Sequence, residues 1–276
     1  AEILFGRTNP SGKIAETFPV RLEDTPSYLN FPGTFDNCDY TEGIYIGYRY
    51  YEKKKIPVLF PFGHGLSYTA FAYSDLSGDE DAVTLTVKNT GTRAGSEVVQ
   101  VYMHDNAPYV SRPVKELCGY AKVVLAPGEE KRVTIPVERR VYGFYDEAHG
   151  DFYTRSGEYT LSVGASSADI RAELVVRVHG DAPKAVHVHR NTYFRDVILD
   201  ERYAPARDIF AAAMLPNAER TPENEKFGIT KDNPAVRRRM HYVLRQAVYN
   251  NPDCNEALIE ETIAACNAAL ENKAHK

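Results

Sequence analysis

At 276 residues the chain is long enough to bury a sizeable core in one large or two ordinary domains. Its 43% hydrophobic and 26% charged residues match ordinary soluble usage and exclude a fibrous or wholly disordered chain. A formal charge of -5 excludes a general attraction to nucleic acid or an anionic bilayer, and no apolar run reaches membrane-span length. Neither nucleic acid nor a membrane is therefore expected as a partner, despite a local basic run such as Arg237, Arg238 and Arg239. The first residues lack the basic and apolar regions of a signal peptide. Cys38, Cys118, Cys254 and Cys266 are too dispersed for a metal knuckle, and they read as reduced thiols in a cytoplasmic protein of bacterial type.

In chain order, Ala1 to Phe5 reads as the last turn of a helix closed by Gly6. From Arg7 to Thr69 the chain is rich in Pro, Gly and Tyr, with β-prone pieces at Ala15 to Pro19 and Ile44 to Tyr48. Such a stretch makes a poor core by itself. Between Ala70 and Val178 apolar residues alternate: Val83, Leu85, Val87; Val99, Val101, Met103; Val133, Ile135, Val137; Tyr159, Leu161, Val163; Leu174, Val176, Val178. Alternate side chains of a strand face opposite ways, so each triplet predicts one buried face. Turn residues fall between them at Asn89-Thr-Gly91, Ala126-Pro-Gly128, His149-Gly-Asp151 and Ser156-Gly157. This spacing predicts a mainly β fold, a two-sheet sandwich of immunoglobulin or fibronectin type III kind.

After Val178 a polar linker with Gly180 and Pro183 leads into helical periodicity. A helix is expected near Ala204 to Met214. Val236, Met240, Val243, Leu244 and Ala247 fall on one helical face, and Ile259, Ile263, Cys266 and Leu270 on another. Asn233-Pro234 and Asn251-Pro252 are read as the N-cap and first-turn proline of these two helices. Their apolar faces require cover, so the tail is expected to be helical and docked. The division is thus 1–69, 70–178 and 179–276.

Three linked stretches are more specific: Asn9-Pro-Ser-Gly-Lys13 running to Glu16-Thr-Phe-Pro19, then Tyr40-Thr-Glu-Gly-Ile-Tyr-Ile-Gly-Tyr-Arg-Tyr-Tyr51, then Phe60-Pro-Phe-Gly-His-Gly-Leu-Ser-Tyr-Thr69. With Arg112-Pro-Val-Lys-Glu-Leu117, Leu125-Ala-Pro-Gly-Glu129 and Gly157-Glu-Tyr-Thr-Leu161 in the sandwich, residues 1 to 178 resemble the C-terminal part of a glycoside hydrolase family 3 β-glucosidase-like enzyme. The resemblance implies a remnant of the family's α/β sandwich domain, then its fibronectin type III-like domain. It also implies a retaining enzyme with an Asp nucleophile on a barrel and a Glu acid/base, which need no metal or organic cofactor. Neither carboxylate has a matching position here, so no catalytic residue is assigned. This chain alone is expected to be an inactive scaffold. The barrel and the rest of the α/β sandwich are implied as partners, in cis or as a separate chain, and a β-glucoside as substrate of the complete enzyme. The rival readings are an autonomous carbohydrate- or protein-binding sandwich and one chain of a split glycosidase.

Individual residues are weighed against that frame. Glu42 has no opposing carboxylate and is read as structural or exposed. Phe60 to Tyr68 is read as a tight aromatic crossover at the domain junction, with Phe60, Phe62, Leu66 and Tyr68 packed between layers. His64 is the one candidate for a substrate rim. His187 and His189 project to one side of an extended segment, but two ligands without a third make a weak metal site, and none is assigned. Cys254 and Cys266 are expected to be buried rather than bonded to each other. No serine has a base to activate it.

Overall fold

The alternating triplets form strands whose inward residues are almost fully buried, Val83, Val87, Val99, Val101, Ile135, Leu161 and Val163 having no exposed surface. The structure, a computed structural model, describes residues 1–146, 151–181, 187–198 and 200–274. The turn at His149-Gly150 and the linker at Pro183 and Val186 lie outside the described residues. The chain divides into two compact units, Ala1–Ala182 and Pro183–Lys276.

In the first unit the short strands β1 (Phe18–Pro19) and β2 (Val58–Phe60) pair antiparallel, with helix α1 (Tyr48–Lys54) between them in sequence. The sandwich follows: β3 (Phe71–Gly78), β4 (Ala82–Asn89), β5 (Gly95–Asp105), β6 (Glu116–Leu125), β7 (Glu130–Pro136), the hairpin β8 (Phe144–Asp146) and β9 (Asp151–Tyr153), β10 (Gly157–Gly164) and β11 (Ile170–Val178). One sheet has the order β11-β10-β5-β6 and the other β3-β4-β7, all antiparallel. The inner faces meet in a single core that includes Leu85, Met103, Leu125, Ile135 and Leu161. Burying each such side chain contributes roughly 1.5 to 3 kcal/mol.

Two buried polar side chains fasten the loops of this sandwich. Asn89, with no exposed surface, donates to the carbonyls of Arg93 (2.7 Å) and Leu125 (3.1 Å) and accepts from the Gly91 amide. Arg112 donates to the carbonyls of Val141 (2.9 Å) and Tyr142 (2.8 Å) and pairs with Glu116 at 2.8 Å. Such donors remove the cost of burying loop carbonyls without partners.

The opening residues do end a helical turn. The Arg7 amide donates to the Glu2 carbonyl and the Gly6 amide to that of Ile3, with Gly6 at φ 72°, the hydrogen-bond pattern of a Schellman motif. The β-prone reading of Ile44 to Tyr48 is corrected, because the chain turns at residues 41–44 and enters α1 at Tyr48. Gly43 (φ 55°) and Gly47 (φ 52°) impose left-handed backbone that overrides the strand preference of Ile and Tyr.

The second unit is helical: α2 (Phe194–Ile198), α3 (Arg207–Met214), α4 (Pro222–Glu225), α5 (Pro234–Arg239), α6 (Ala247–Asn250) and α7 (Glu256–Ala274), with a 3₁₀ segment at Glu201–Ala206. The helix expected near Ala204 to Met214 is present, its first turn 3₁₀ around Pro205. Asn233 caps α5 by accepting from the Ala235 amide, with Pro234 at the first position. Two expectations fail. The face from Val236 to Ala247 is not one helix: α5 stops at Arg239, and Val243 forms an isolated β-bridge with Tyr193 before Leu244 starts a new turn. Asn251-Pro252 does not open α7; Asn255 caps it, accepting from the Leu258 amide at 2.9 Å. Asn251 instead lies buried and donates to the carbonyls of Ala212 and Ala213. The apolar faces close on one another in a core built from Phe194, Phe210, Met214, Val236, Leu244, Ile259 and Cys266.

Candidate functional site

The motif-bearing segments converge where residues 1–68 meet the sandwich. Asn9 accepts from the Tyr68 amide at 2.7 Å and donates to Ser67 Oγ at 3.1 Å. The Gly63 amide donates to the Ile14 carbonyl (2.8 Å) and the Ile14 amide to that of His64 (2.9 Å), so the two glycine-bearing motifs zip together. Gly65 leaves no room for a Cβ against the Gly12 carbonyl. From this zipper Lys13 reaches into the sandwich, donating to the Ala165 carbonyl (3.1 Å) and pairing with the buried Glu97 at 3.0 Å.

Gln100 of β5 completes the clasp. Its amide nitrogen donates to the carbonyls of Gly63 (3.1 Å) and Ala165 (2.7 Å), and its oxygen accepts from the Tyr102 hydroxyl at 2.5 Å. The Ser167 amide donates to the Phe62 carbonyl. Beside it the Tyr48 ring lies 4.8 Å from that of Phe62 and 5.9 Å from that of Tyr102, and its hydroxyl accepts from the Leu117 amide at 2.7 Å. Burial pushes the Tyr48 and Tyr102 hydroxyls up, so both stay neutral donors or acceptors. Burial also raises Glu52, although Lys115 at 3.1 Å opposes the rise.

The crossover is therefore polar in its centre and only partly as expected. Phe62 alone of its large apolar residues packs into the stack; Phe60 (42% exposed), Leu66 (72%) and Tyr68 (45%) remain open. Backbone amides from Ile14, Gly63 and Ser167 supply the adhesion that the aromatic composition suggested. Sequence reading missed Gln100, Glu97 and Lys13, whose contacts span up to 152 positions and leave no local periodicity. A polar Gln inside an apolar strand was the one visible signal.

His64 is half-buried and stacks on Phe60, with ring centroids 5.3 Å apart. Glu42 sits at a turn and lines a cleft of about 400 Å³ with Pro26, Thr41, Tyr45, Tyr50, Lys53, Lys54 and Ser111, the one carboxylate among the described residues that do so. Among the described residues that line this cleft, Glu42 thus has no second carboxylate opposite it. His187 and His189 flank the buried Val188, both exposed, and no group of three or more His, Cys, Asp or Glu among the described residues could hold a metal ion. The four cysteines are unbonded, and burial pushes the Cys118 and Cys266 thiols up to about 12, far from nucleophilic.

Comparison with known proteins agrees with this geometry. Residues 1–68 match the glycosyl hydrolase family 3 C-terminal domain, and residues 97–167 the fibronectin type III-like domain. The thermostable beta-glucosidase B of Acetivibrio thermocellus is 47% identical over 212 residues, covering 74% of this chain and 28% of that protein. The probable beta-glucosidase K of Emericella nidulans is 51% identical over 180 residues, 64% of this chain and 22% of its own length. Among solved structures, a Bifidobacterium adolescentis GH3 beta-glucosidase superimposes with a TM-score of 0.68 at 39% identity, over 73% of this chain and 30% of its own. The Kluyveromyces marxianus beta-glucosidase in complex with glucose gives 0.62 at 46% identity, over 64% of this chain and 22% of its own. The chain spans less than a third of the length of these relatives. Joined by the clasp of Lys13, Gly63 and Gln100, the two matched domains show that the chain belongs to glycoside hydrolase family 3, as its C-terminal domain region and the fibronectin type III-like domain that follows.

Proposed function

We propose that this chain is the C-terminal scaffold of a retaining, β-glucosidase-like glycosidase and has no hydrolytic activity alone. The observation that carries this reading is the contrast between the two faces of residues 1–68. One face is locked to the sandwich by Lys13, Phe62 and Gly63. Elsewhere the segment leaves large apolar residues in water: Leu4 is 86% exposed, Leu29 91%, Phe35 99% and Tyr40 82%. A side that rigid and a side that apolar together suit an element clamped at one surface and covered at another. The remaining α/β sandwich and a catalytic barrel are the cover, carried in cis or on a second polypeptide, and the substrate of the assembled enzyme is a β-glucoside. His64, next to the uncovered Phe60, contributes to the rim of that substrate site. The unpaired thiols support a reducing, cytoplasmic setting.

Retaining hydrolysis needs two carboxylates about 5 Å apart, one to attack the anomeric carbon and one to protonate the leaving oxygen. Glu42, the single carboxylate among the described residues that line its cleft, has no partner there for the second role. Purified chain assayed on aryl β-glucosides is expected to give only background hydrolysis. Robust turnover abolished by Glu42→Gln would overturn the scaffold reading.

A further inference from the structure

Glu42 and Lys54 line one cleft without meeting. Among the described residues neither side chain makes an ion pair or a hydrogen bond, and one Glu42 carboxylate oxygen is shut away from solvent with no partner, which leaves that carboxylate short of donors. The two walls of the cleft come from distant segments and are tied together: the Tyr45 hydroxyl and Ser111 Oγ are 2.5 Å apart, and Lys53 donates to the Arg112 carbonyl at 2.9 Å. The Lys53 ammonium also lies 6.0 Å from the centre of the Tyr45 ring, so a second positive charge is fixed on that wall. A shape held in advance lowers the ordering cost of filling it.

We propose that this cleft binds a small aromatic carboxylate that carries a ring hydroxyl. Charge selects the sign of the guest. Lys53 and Lys54 against Glu42 leave a net charge of +1, which attracts a monoanion and repels a metal ion or an amine. The walls select its body: Pro26, Tyr45 and Tyr50 offer apolar faces on which a planar ring stacks and which an inorganic anion would leave bare. At about 400 Å³ the cleft is within the range of small-molecule sites and has room for a single-ring acid with water beside it. In the complex the guest's carboxylate accepts from Lys54, while its hydroxyl donates to the under-supplied Glu42. Acid and hydroxyl at opposite ends of the ring keep the two carboxylates apart, so the cleft's one negative charge serves as an acceptor rather than as a source of repulsion.

The test is calorimetry and ligand-observed NMR on the whole chain at neutral pH with three probes: 4-hydroxybenzoate, its neutral counterpart 4-hydroxybenzamide, and benzoate, which lacks the ring hydroxyl. Saturable binding of 4-hydroxybenzoate is expected, with Kd of about millimolar order for one ring. Its affinity should fall with added salt as the charge of the cleft is screened. The amide should bind about tenfold more weakly, and benzoate weaker by a smaller factor. Lys54→Ala should remove most of the acid's advantage over the amide, and Glu42→Ala most of its advantage over benzoate, with unchanged thermal midpoints. Lys54 is exposed, so its exchange leaves the fold intact; if Glu42→Ala fails to fold, Glu42→Gln reads the same end of the guest. Absence of saturable binding, equal affinity for acid and amide, or an acid preference untouched by Lys54→Ala overturns the proposal. An advantage over benzoate that survives both exchanges at Glu42 overturns it as well.

Discussion

Gly63 packs its α-carbon against the Gln100 side chain with φ at 76°, so both space and backbone angle demand glycine there. Gly63→Ala would drive a methyl group into the Gln100 amide that holds Gly63 and Ala165, and left-handed backbone would strain it further. A loss of about 2 to 4 kcal/mol in urea unfolding is expected from strain plus the broken buried hydrogen bonds. A variant as stable as the parent would show that the clasp is not tight. Phe62 asks for a more modest estimate. It is half-buried, so Phe62→Ala should fall below the roughly 3 to 5 kcal/mol typical of a fully buried ring, at about 1.5 to 3 kcal/mol. In the helical unit the residue-scale test is electrostatic. Glu219 takes bonds of 2.6 and 2.8 Å from Arg239 and 2.8 Å from Arg238, and these guanidinium groups, Arg239 foremost, lower its carboxyl from 4.5 to about 2. A carboxyl with a depressed folded value stabilises the fold above its unfolded value and loses that contribution as pH falls. The thermal midpoint of this unit should therefore drop between about pH 4.5 and pH 2, and Glu219→Gln should remove that part of the slope.

At the scale of elements, what was legible depended on whether an element's own periodicity met its neighbours. The sandwich strands were readable because each inward triplet faces another sheet, so the period-two pattern is the packing pattern. The α5 region was misread because Val236, Leu244 and Ala247 all reach one core although the chain between them leaves the helix. Core membership imitates helical spacing whenever a turn happens to preserve the direction of the side chains. Asparagine misled for a related reason: Asn251 and Asn255 are both followed by helix-compatible sequence, and only the tertiary fold assigns one to α3 carbonyls and the other to the α7 cap. The candidate site was legible as a junction, since its motifs were recognised in order, but its chemistry was assigned to rings rather than to Lys13, Glu97 and Gln100. These roles predict different costs. Asn255→Ala should cost about 1 kcal/mol as a lost cap, whereas Asn251→Ala should cost about 2 to 3 kcal/mol by stranding two buried carbonyls. Equal costs in chemical denaturation would contradict the assignment.

For the whole molecule, the two units draw, among the described residues, on separate hydrophobic cores with no residue in common. The sandwich core spans Val83 to Val178 and the helical core Val188 to Ala269. Folding cooperativity follows shared burial, so each core defines its own cooperative transition. The helical core includes Phe194, Phe210, Met214 and Ile259, which together with its buried asparagine and arginine contacts satisfy both apolar surface and helix carbonyls from within the same unit. Its largest risk is size, because short chains bury a smaller fraction of their surface. A polypeptide of residues 187–276 is accordingly expected to be helical by far-ultraviolet circular dichroism and to unfold in one sigmoidal transition. The whole chain is expected to give two transitions, of which Glu219→Gln moves only the helical one at low pH. A non-cooperative melt of the isolated segment would show that its core depends on residues outside it.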